Sequence, residues 1–452
     1  MELMVLILAA GKGTRMKSDT PKVLFKAAGK PMVDYAVECA ENCGASKINT
    51  VIGNGAELVR EHLKDRSGFY VQKELRGTAD AVMAADEALR SFDGQVLILC
   101  GDMPLIKAET VQKFIAEAKS EPVSFITVRV KNPHGYGRVI RGVDGSVIKI
   151  VEEKDATDDE KREDEINTGV YLCDCKELVK RLQGIDCNNA QGEYYLTDIV
   201  KKGAFAWEAP DENEFLGVNN RAQLAEASGI LWDRTALKHM MNGVSVIDPK
   251  TFYCDDTVEI ENDVTVYPNV YLEGKTVIRK GAVIMSGSRI KDSEICEDAE
   301  IKDNCFITES YVGKDSHVGP MAQLRPGTKL LGDNKIGNFV EIKKVTMGIG
   351  SKASHLTYLG DAEIGADVNI GCGTITCNYD GYNKYKTVIG DSVFVGSDVQ
   401  LVAPVTVGKG ALIAAGSTIT KDVPEDALGI TRAKQQNMEG WVSAWKKKKG
   451  VK

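Results

Sequence analysis

A chain of 452 residues with 43% apolar side chains is long enough for two or three folded domains, each with its own core. The net charge is −8, and the 57 Lys and Arg residues are dispersed among 65 Asp and Glu, which excludes a nucleic-acid binder but not an enzyme of small anionic substrates. Its 11 cysteines form no CxxC pair and no zinc spacing, so free thiols in a reducing, cytoplasmic compartment are expected.

In chain order, MELMVLILAAGKGTRM is apolar only briefly before Gly and Lys interrupt it, and reads as a buried strand rather than a membrane span or a leader. INTVIG, QVLILCG and FITVRV read as further strands, with VDYAVECAENCG and ADAVMAADEALRS between them at helical spacing. Such alternation implies a mostly parallel α/β sheet over residues 1–220, with ligands bound beyond the carboxyl ends of its strands. NNRAQLAEASGILWDRTALKHMMNG then reads as one connecting helix, 221–243, opened by Asn220 with Gln223 and closed by Gly243. A rigid spacer is its expected role.

From residue 244 to 437 the period changes to six. Val312, Val318, Leu324, Leu330, Ile336 and Ile342 are evenly spaced, as are Ile389, Val395, Leu401, Val407, Ile413 and Ile419. This is the hexapeptide repeat of a parallel β-helix, with three hexads per triangular coil of about 18 residues and the aliphatic side chain stacked inward. The phase slips twice. Ile342 to Ile364 spans 22 residues and contains His355, and Ile370 to Ile389 spans 19 and contains GCGTITCNYDGYNKYK. Each slip is expected to release a loop in which a site can be built. Residues 438–452, ending WKKKKGVK, read as a solvated tail with no stable membrane insertion.

Several segments carry chemistry. LILAAGKGTRM is a glycine turn after a strand, neither a complete Walker loop nor a dinucleotide fingerprint, and a structural turn would look the same. With Arg15 and Lys22 downstream, its amides and two cations can hold a polyphosphate. Asp102, in LILCGDMPL, stands where a Mg²⁺ ligand or a simple turn residue would stand. In the second half, acetyl transfer to an amine calls for a base near neutral pKa, and His355 in the phase slip suits that role. An isolated histidine is more often structural. The polar set around it, Arg325, Lys343, Tyr358, Asn369 and Lys384, favours the functional reading.

LAAGKGTRM, QKELRGTADAV, GDMPL, GYGR, IVEEKDA, INTGVY and GVNNR together resemble the sugar-phosphate nucleotidylyltransferases. With HLTYLGDAEIG and GTITCNYDG the resemblance narrows to the bifunctional family that acetylates glucosamine 1-phosphate and then transfers uridylyl to the product. It implies a Rossmann-like nucleotidyltransferase domain, a left-handed β-helix, Mg²⁺, acetyl-CoA, UTP, a homotrimer, and a product that supplies peptidoglycan and lipopolysaccharide. By the same resemblance, Ala9, Ala10, Gly11, Gln72, Gly77 and Thr78 hold uridine, and Arg15 and Lys22 grip phosphates. Gly137, Glu152, Asn167 and Asn219 bind the sugar nucleotide, with Glu153 left open beside Glu152, and Asp102 with Asn219 coordinate Mg²⁺. Arg325, Lys343, Tyr358, Asn369 and Lys384 take the sugar phosphate, and His355 is the base. Separately from the resemblance, Glu341 stands two residues before Lys343 on the same strand face, where it is a candidate to orient the imidazole. Cys372, Asn378, Tyr379, Ser397, Ala415 and Arg432 take acetyl-CoA, Cys372 standing where the family pattern has alanine. Two other readings compete: a nucleotidylyltransferase whose β-helix only assembles or regulates, and a degenerate sugar-binding scaffold. HLTYLGD opposes the first, and intact GKGTRM with GDMPL opposes the second.

Overall fold

A computed structural model describes residues 2–118 and 120–452. The chain divides into two compact units, Met1–Trp232 and Asp233–Lys452.

In the first unit, β-branched and aliphatic runs buried on both faces form the strands. Glu2–Ala9 lies between Lys47–Ile52 and Gly94–Cys100 and is parallel to both. Chain therefore leaves this strand toward one neighbour and returns to it from the other, opening a crevice at its carboxyl end. The sheet continues with Glu165–Asp174, antiparallel to Gly94–Cys100 and to Val123–Arg129. Phe205–Glu208 closes one edge and Gly68–Val71 the other. ADAVMAADEALRS is not one helix: it breaks at Ala84 and Ala85 into Thr78–Met83 and Asp86–Arg90, and its continuous periodicity carries no sign of the break.

The helix Arg221–Met241 starts as expected. Asn220 Oδ1 accepts the Gln223 amide at 3.0 Å, and Gln223 Oε1 reaches back to the Asn219 amide at 2.9 Å. Ala227 is buried with Ala27, Met32 and Leu105 of the first unit, while Ala236 belongs to the β-helix core.

The second unit is a left-handed parallel β-helix of two- to thirteen-residue strands stacked coil on coil. All twelve hexad anchors are buried, and burying each such side chain contributes about 1.5–3 kcal/mol. The coil count differs from that read in the sequence. Ile342 stacks on Leu359, seventeen residues on, and Met347, not Ile342, stacks on Ile364. The slip around His355 is thus no loop: the coil is one residue shorter than eighteen, and His355 lies within strand Lys352–Ile364. Met347 and Leu359 fill inward positions that a strict count in sixes passes over, because each stacks at a seventeen-residue offset. The real excursion is the next coil. Thr376 stacks on Leu401, twenty-five residues on, and the surplus forms a small hairpin at 378–386 closed by the Tyr379–Lys384 bridge. The tail is exposed and carries a helix, Trp441–Lys449. No described helix is long and apolar enough to cross a membrane.

Candidate functional sites

Strand Glu2–Ala9 delivers Ala9, Ala10 and Gly11 to the crevice. The turn beyond is held by Gly13, at φ 59°, where a Cβ would stand 2.8 Å from that of Lys22; glycine therefore lets the two segments close. Ala9, Ala10, Gly11, Lys22, Gln72, Gly77, Thr78 and Asp102 line one cavity of about 450 Å³, together with Lys12, Leu75, Cys100 and Glu193. Buried Gln72 donates to Gly77 O at 3.1 Å and to Asp80 at 2.8 Å, fixing its amide at the rim. Gly77 sits at φ 119° against the Tyr194 backbone, and Thr78 Oγ1 accepts the Leu196 amide at 3.0 Å. The 193–197 segment that braces this loop gave no signal in the sequence, because it follows no strand. Arg15 is exposed beyond the turn, anchored through buried Met16.

The Lys22 ammonium donates to Asp102 Oδ2 and, at 3.1 Å, to Asn219 Oδ1. Residues far apart in sequence thus aim two oxygens at one cation. A carboxylate and an amide oxygen fit Mg²⁺, which keeps its other positions for phosphate and water. Among the described residues no group of three or more acidic, His or Cys side chains gathers for a metal, so any ion here would depend on substrate oxygens.

A second set adjoins. The Asn167 amide donates to Gly137 O at 2.9 Å, and a Cβ on Gly137 would lie 3.5 Å from Glu152 Oε1. Glu152 also accepts from Thr197 Oγ1 at 3.2 Å; burial, then Asp198 and Asp155, holds its carboxyl above the usual range. Glu153 faces elsewhere, paired with Arg138 at 2.7 Å and His134 at 3.0 Å. Of the two acids, Glu152 is the one beside Gly137. The Cys100 thiol is pushed up to about 12 by burial and by Asp102, which makes it a poor nucleophile.

In the β-helix, equal register places residues of successive coils in columns. Asn338 pairs with His355, and the same offset sets His355 beside Cys372. The longer coil brings Cys372 to Ser397, and the following one brings Ser397 to Ala415. Arg432 donates to Ala415 O at 2.8 Å. One corner of the prism therefore carries His355 and four of the six expected acetyl-CoA residues; the other two, Asn378 and Tyr379, begin the hairpin. Asn378 donates to Asp361, and a Cβ on Gly360 would stand 2.4 Å from the Tyr358 hydroxyl and 2.9 Å from Asn378 Nδ2.

On the adjoining face Arg325 pairs with Lys343 in register. The Lys343 amine is held below its ordinary value, first by Lys384 and further by partial burial and Arg325. Three cations kept together against their repulsion suit a phosphate. Asn369 is not among them: it stands in the column of Lys352 and Phe394, on another face of the same chain. Glu341 does not meet His355 either. Its Oε1 takes Arg325 Nη1 at 2.6 Å, while His355 Nδ1 lies 3.2 Å from Asn338 Oδ1. The sequence reading passed over Asn338, and only coil register reveals it.

A family model described as Nucleotidyl transferase matches residues 4–212, and a bacterial transferase hexapeptide model of six repeats matches 386–421. A GMPPB C-terminal domain model matches 254–403. The chain is 53% identical to the "Bifunctional protein GlmU" of Geobacter metallireducens, over 97% of this chain and 98% of that one. The chain belongs to the GlmU family. The Geobacter sulfurreducens member is 51% identical, and that of a Geobacillus species 49%, each across 97% of this chain. Family membership makes the molecule a bifunctional transferase, with a nucleotidyltransferase unit followed by a hexapeptide-repeat acyltransferase unit.

Proposed function

We infer that the chain carries out two consecutive steps of UDP-N-acetylglucosamine synthesis. In the second unit, the amine of glucosamine 1-phosphate attacks the acetyl-CoA carbonyl. The C–N bond forms, the C–S bond breaks, and His355 takes the proton that the nitrogen loses. Arg325, Lys343 and Lys384 hold the sugar phosphate, with Tyr358 over Gly360 beside it. The corner column from Cys372 to Arg432 receives the cofactor with Asn378 and Tyr379. In the first unit, the phosphate of N-acetylglucosamine 1-phosphate attacks the α-phosphorus of UTP and pyrophosphate leaves. That nucleophile is already ionised at neutral pH, so no general base is needed; alignment and charge neutralisation are. Ala9, Ala10, Gly11, Gln72, Gly77 and Thr78 would seat uridine, Arg15 and Lys22 the phosphates, and Gly137, Glu152, Asn167 and Asn219 the sugar. Asp102 and Asn219 would hold Mg²⁺, which supplies charge neutralisation on the phosphates when bound.

One observation carries the double activity: the histidine column stands beside a three-cation cluster on the β-helix. A purely assembling β-helix has no use for either. The test is to supply glucosamine 1-phosphate, acetyl-CoA, UTP and Mg²⁺ and to weigh the products. His355→Ala should leave only free glucosamine 1-phosphate, while uridylyl transfer to added N-acetylglucosamine 1-phosphate continues; acetylation within a few-fold of wild type in that variant would remove the assigned base.

A homotrimer is the assembly this reading requires. Met321, Phe339 and Leu356 follow one another up a corner column at φ 55°, 58° and 41°, and are 50%, 54% and 60% exposed. The same column uses Asn269, Gly287, Asn304, Gly373, Asp398 and Gly416 elsewhere. Left-handed backbone costs roughly 1–2 kcal/mol at each bulky residue, so an apolar ridge there implies a covering surface, here another copy of the chain. A neighbouring copy would also bring its Asn369, which stands on another face of its own chain, to a shared acetyl site. The cytoplasm is the compartment proposed, consistent with eleven free cysteines.

A further inference from the structure

His355 is exposed on the strand Lys352–Ile364, and an imidazole held only by its own torsions would present either nitrogen to a substrate. A base works only if the nitrogen facing the amine is the unprotonated one. We propose that Asn338, rather than Glu341, is the positioning residue for His355: its Oδ1 accepts the Nδ1–H and leaves Nε2 free to take the proton. This rests on His355 being the base of acetyl transfer.

Three observations support it. Asn338 is the residue directly across the coil from His355, and its Oδ1 is 3.2 Å from Nδ1. Glu341, three residues further along, faces Tyr358 instead, and its carboxylate is committed to Arg325 at 2.6 Å. The ring's backbone is itself tied down, because Thr357 Oγ1 donates to His355 O at 2.7 Å. With the main chain fixed, one side-chain hydrogen bond suffices to set the ring.

The choice of an amide has a chemical consequence. A carboxylate against Nδ1 would stabilise the imidazolium, raise the histidine's pKa and leave more of it protonated at neutral pH, where it cannot act as a base. An amide oxygen orients the ring without adding charge. The titratable groups on the adjoining coils and on its own strand are Lys335, Glu341, Lys343 and Lys344 before it, Lys352, Tyr358, Asp361 and Glu363 on its strand, and Cys372 after it. The carboxylates among them are already engaged, Glu341 by Arg325, Asp361 by Asn378 and Glu363 by Lys386.

The experiment compares Asn338→Ala, Asn338→Asp and His355→Ala in the full chain, measuring acetyl transfer across pH and uridylyl transfer as a control for folding. Asn338→Ala should lower kcat for acetylation about tenfold or more, with KM for the sugar phosphate little changed. Asn338→Asp restores an acceptor. It should recover rate at alkaline pH while moving the acid limb of the kcat/KM profile up by about one unit. A merely structural asparagine would alter thermal stability in both variants and leave that limb in place. Asn338→Ala within twofold of wild type at every pH, or Asn338→Asp with an unmoved limb, overturns the assignment. An active His355→Ala enzyme would instead overturn the choice of base, so the two failures are distinguishable.

Discussion

His239 lies near the end of the helix Arg221–Met241, is 3% exposed, and neither ring nitrogen has a hydrogen-bond partner among the described residues. Burial, reinforced by Lys238, holds its pKa down at about 4, against an ordinary value of 6.5. Because the folded-state value is the lower one, the unfolded chain binds the proton first as pH falls. The associated stability is complete above pH 6.5, declines between 6.5 and 4, and is gone below that window. The gap corresponds to about 3 kcal/mol in total, of which about 2 kcal/mol is lost by pH 5. His239→Leu keeps an apolar side chain of similar bulk and removes the titrating ring and its two unsatisfied nitrogens. Urea unfolding of wild type and variant at pH 7 and pH 5, followed by far-ultraviolet circular dichroism, isolates this group from all others that titrate. The variant should be more stable by about 1–2 kcal/mol at pH 7, and its advantage should widen by about 2 kcal/mol at pH 5. An advantage of the same size at both pH values would refute the claim that burial keeps the ring neutral.

Asp102→Ala should abolish uridylyl transfer and leave acetyl transfer unchanged, and a chelator should reproduce that split on the wild-type enzyme. A chelator-resistant uridylyl activity would remove the metal assignment. Gly77→Ala places a Cβ 2.4 Å from Tyr194 O at φ 119°, so calorimetry should show the first unit destabilised by about 2 kcal/mol or more, with uridylyl transfer lost in parallel. Leu356→Asn suits the left-handed corner and should relieve about 1 kcal/mol of backbone strain within each chain. It should also weaken association, read by sedimentation as trimer passing to monomer on dilution; an unchanged assembly would mean the ridge has another purpose.

Strands such as Gly94–Cys100 and the inward hexad residues were legible because burial imposes a short local period on the side chains. Motif residues at strand ends were legible for a related reason: the sheet directs Ala10 and Asp102 into one crevice. What the sequence withheld was register between distant segments. Reading Ile342 against Ile364 gave a surplus of four residues, although the chain had stacked Leu359 on Ile342 and saved one. Glu341 stood out because it shares a strand face with Lys343, and neighbours along a strand can be counted while neighbours across a coil, such as Asn338 and His355, cannot. Glu152 and Glu153 were separable only once Arg138 had claimed the latter. The break at half-buried Ala84 and buried Ala85, beside Val82 and Leu89, reflects packing against the sheet rather than any helix-terminating residue.

The hairpin at 378–386 enters and leaves the prism between coils that are already bonded to one another, and the stack resumes in step above it. Residues can be gained or lost in that excursion without shifting a single hexad beyond it. Lys384, Asn378 and Tyr379 thus ride on the one stretch of the second unit whose length the scaffold does not meter. Substrate preference can drift there through insertions and deletions of several residues, whereas the coils between residues 265 and 364 differ by no more than the one residue between seventeen and eighteen.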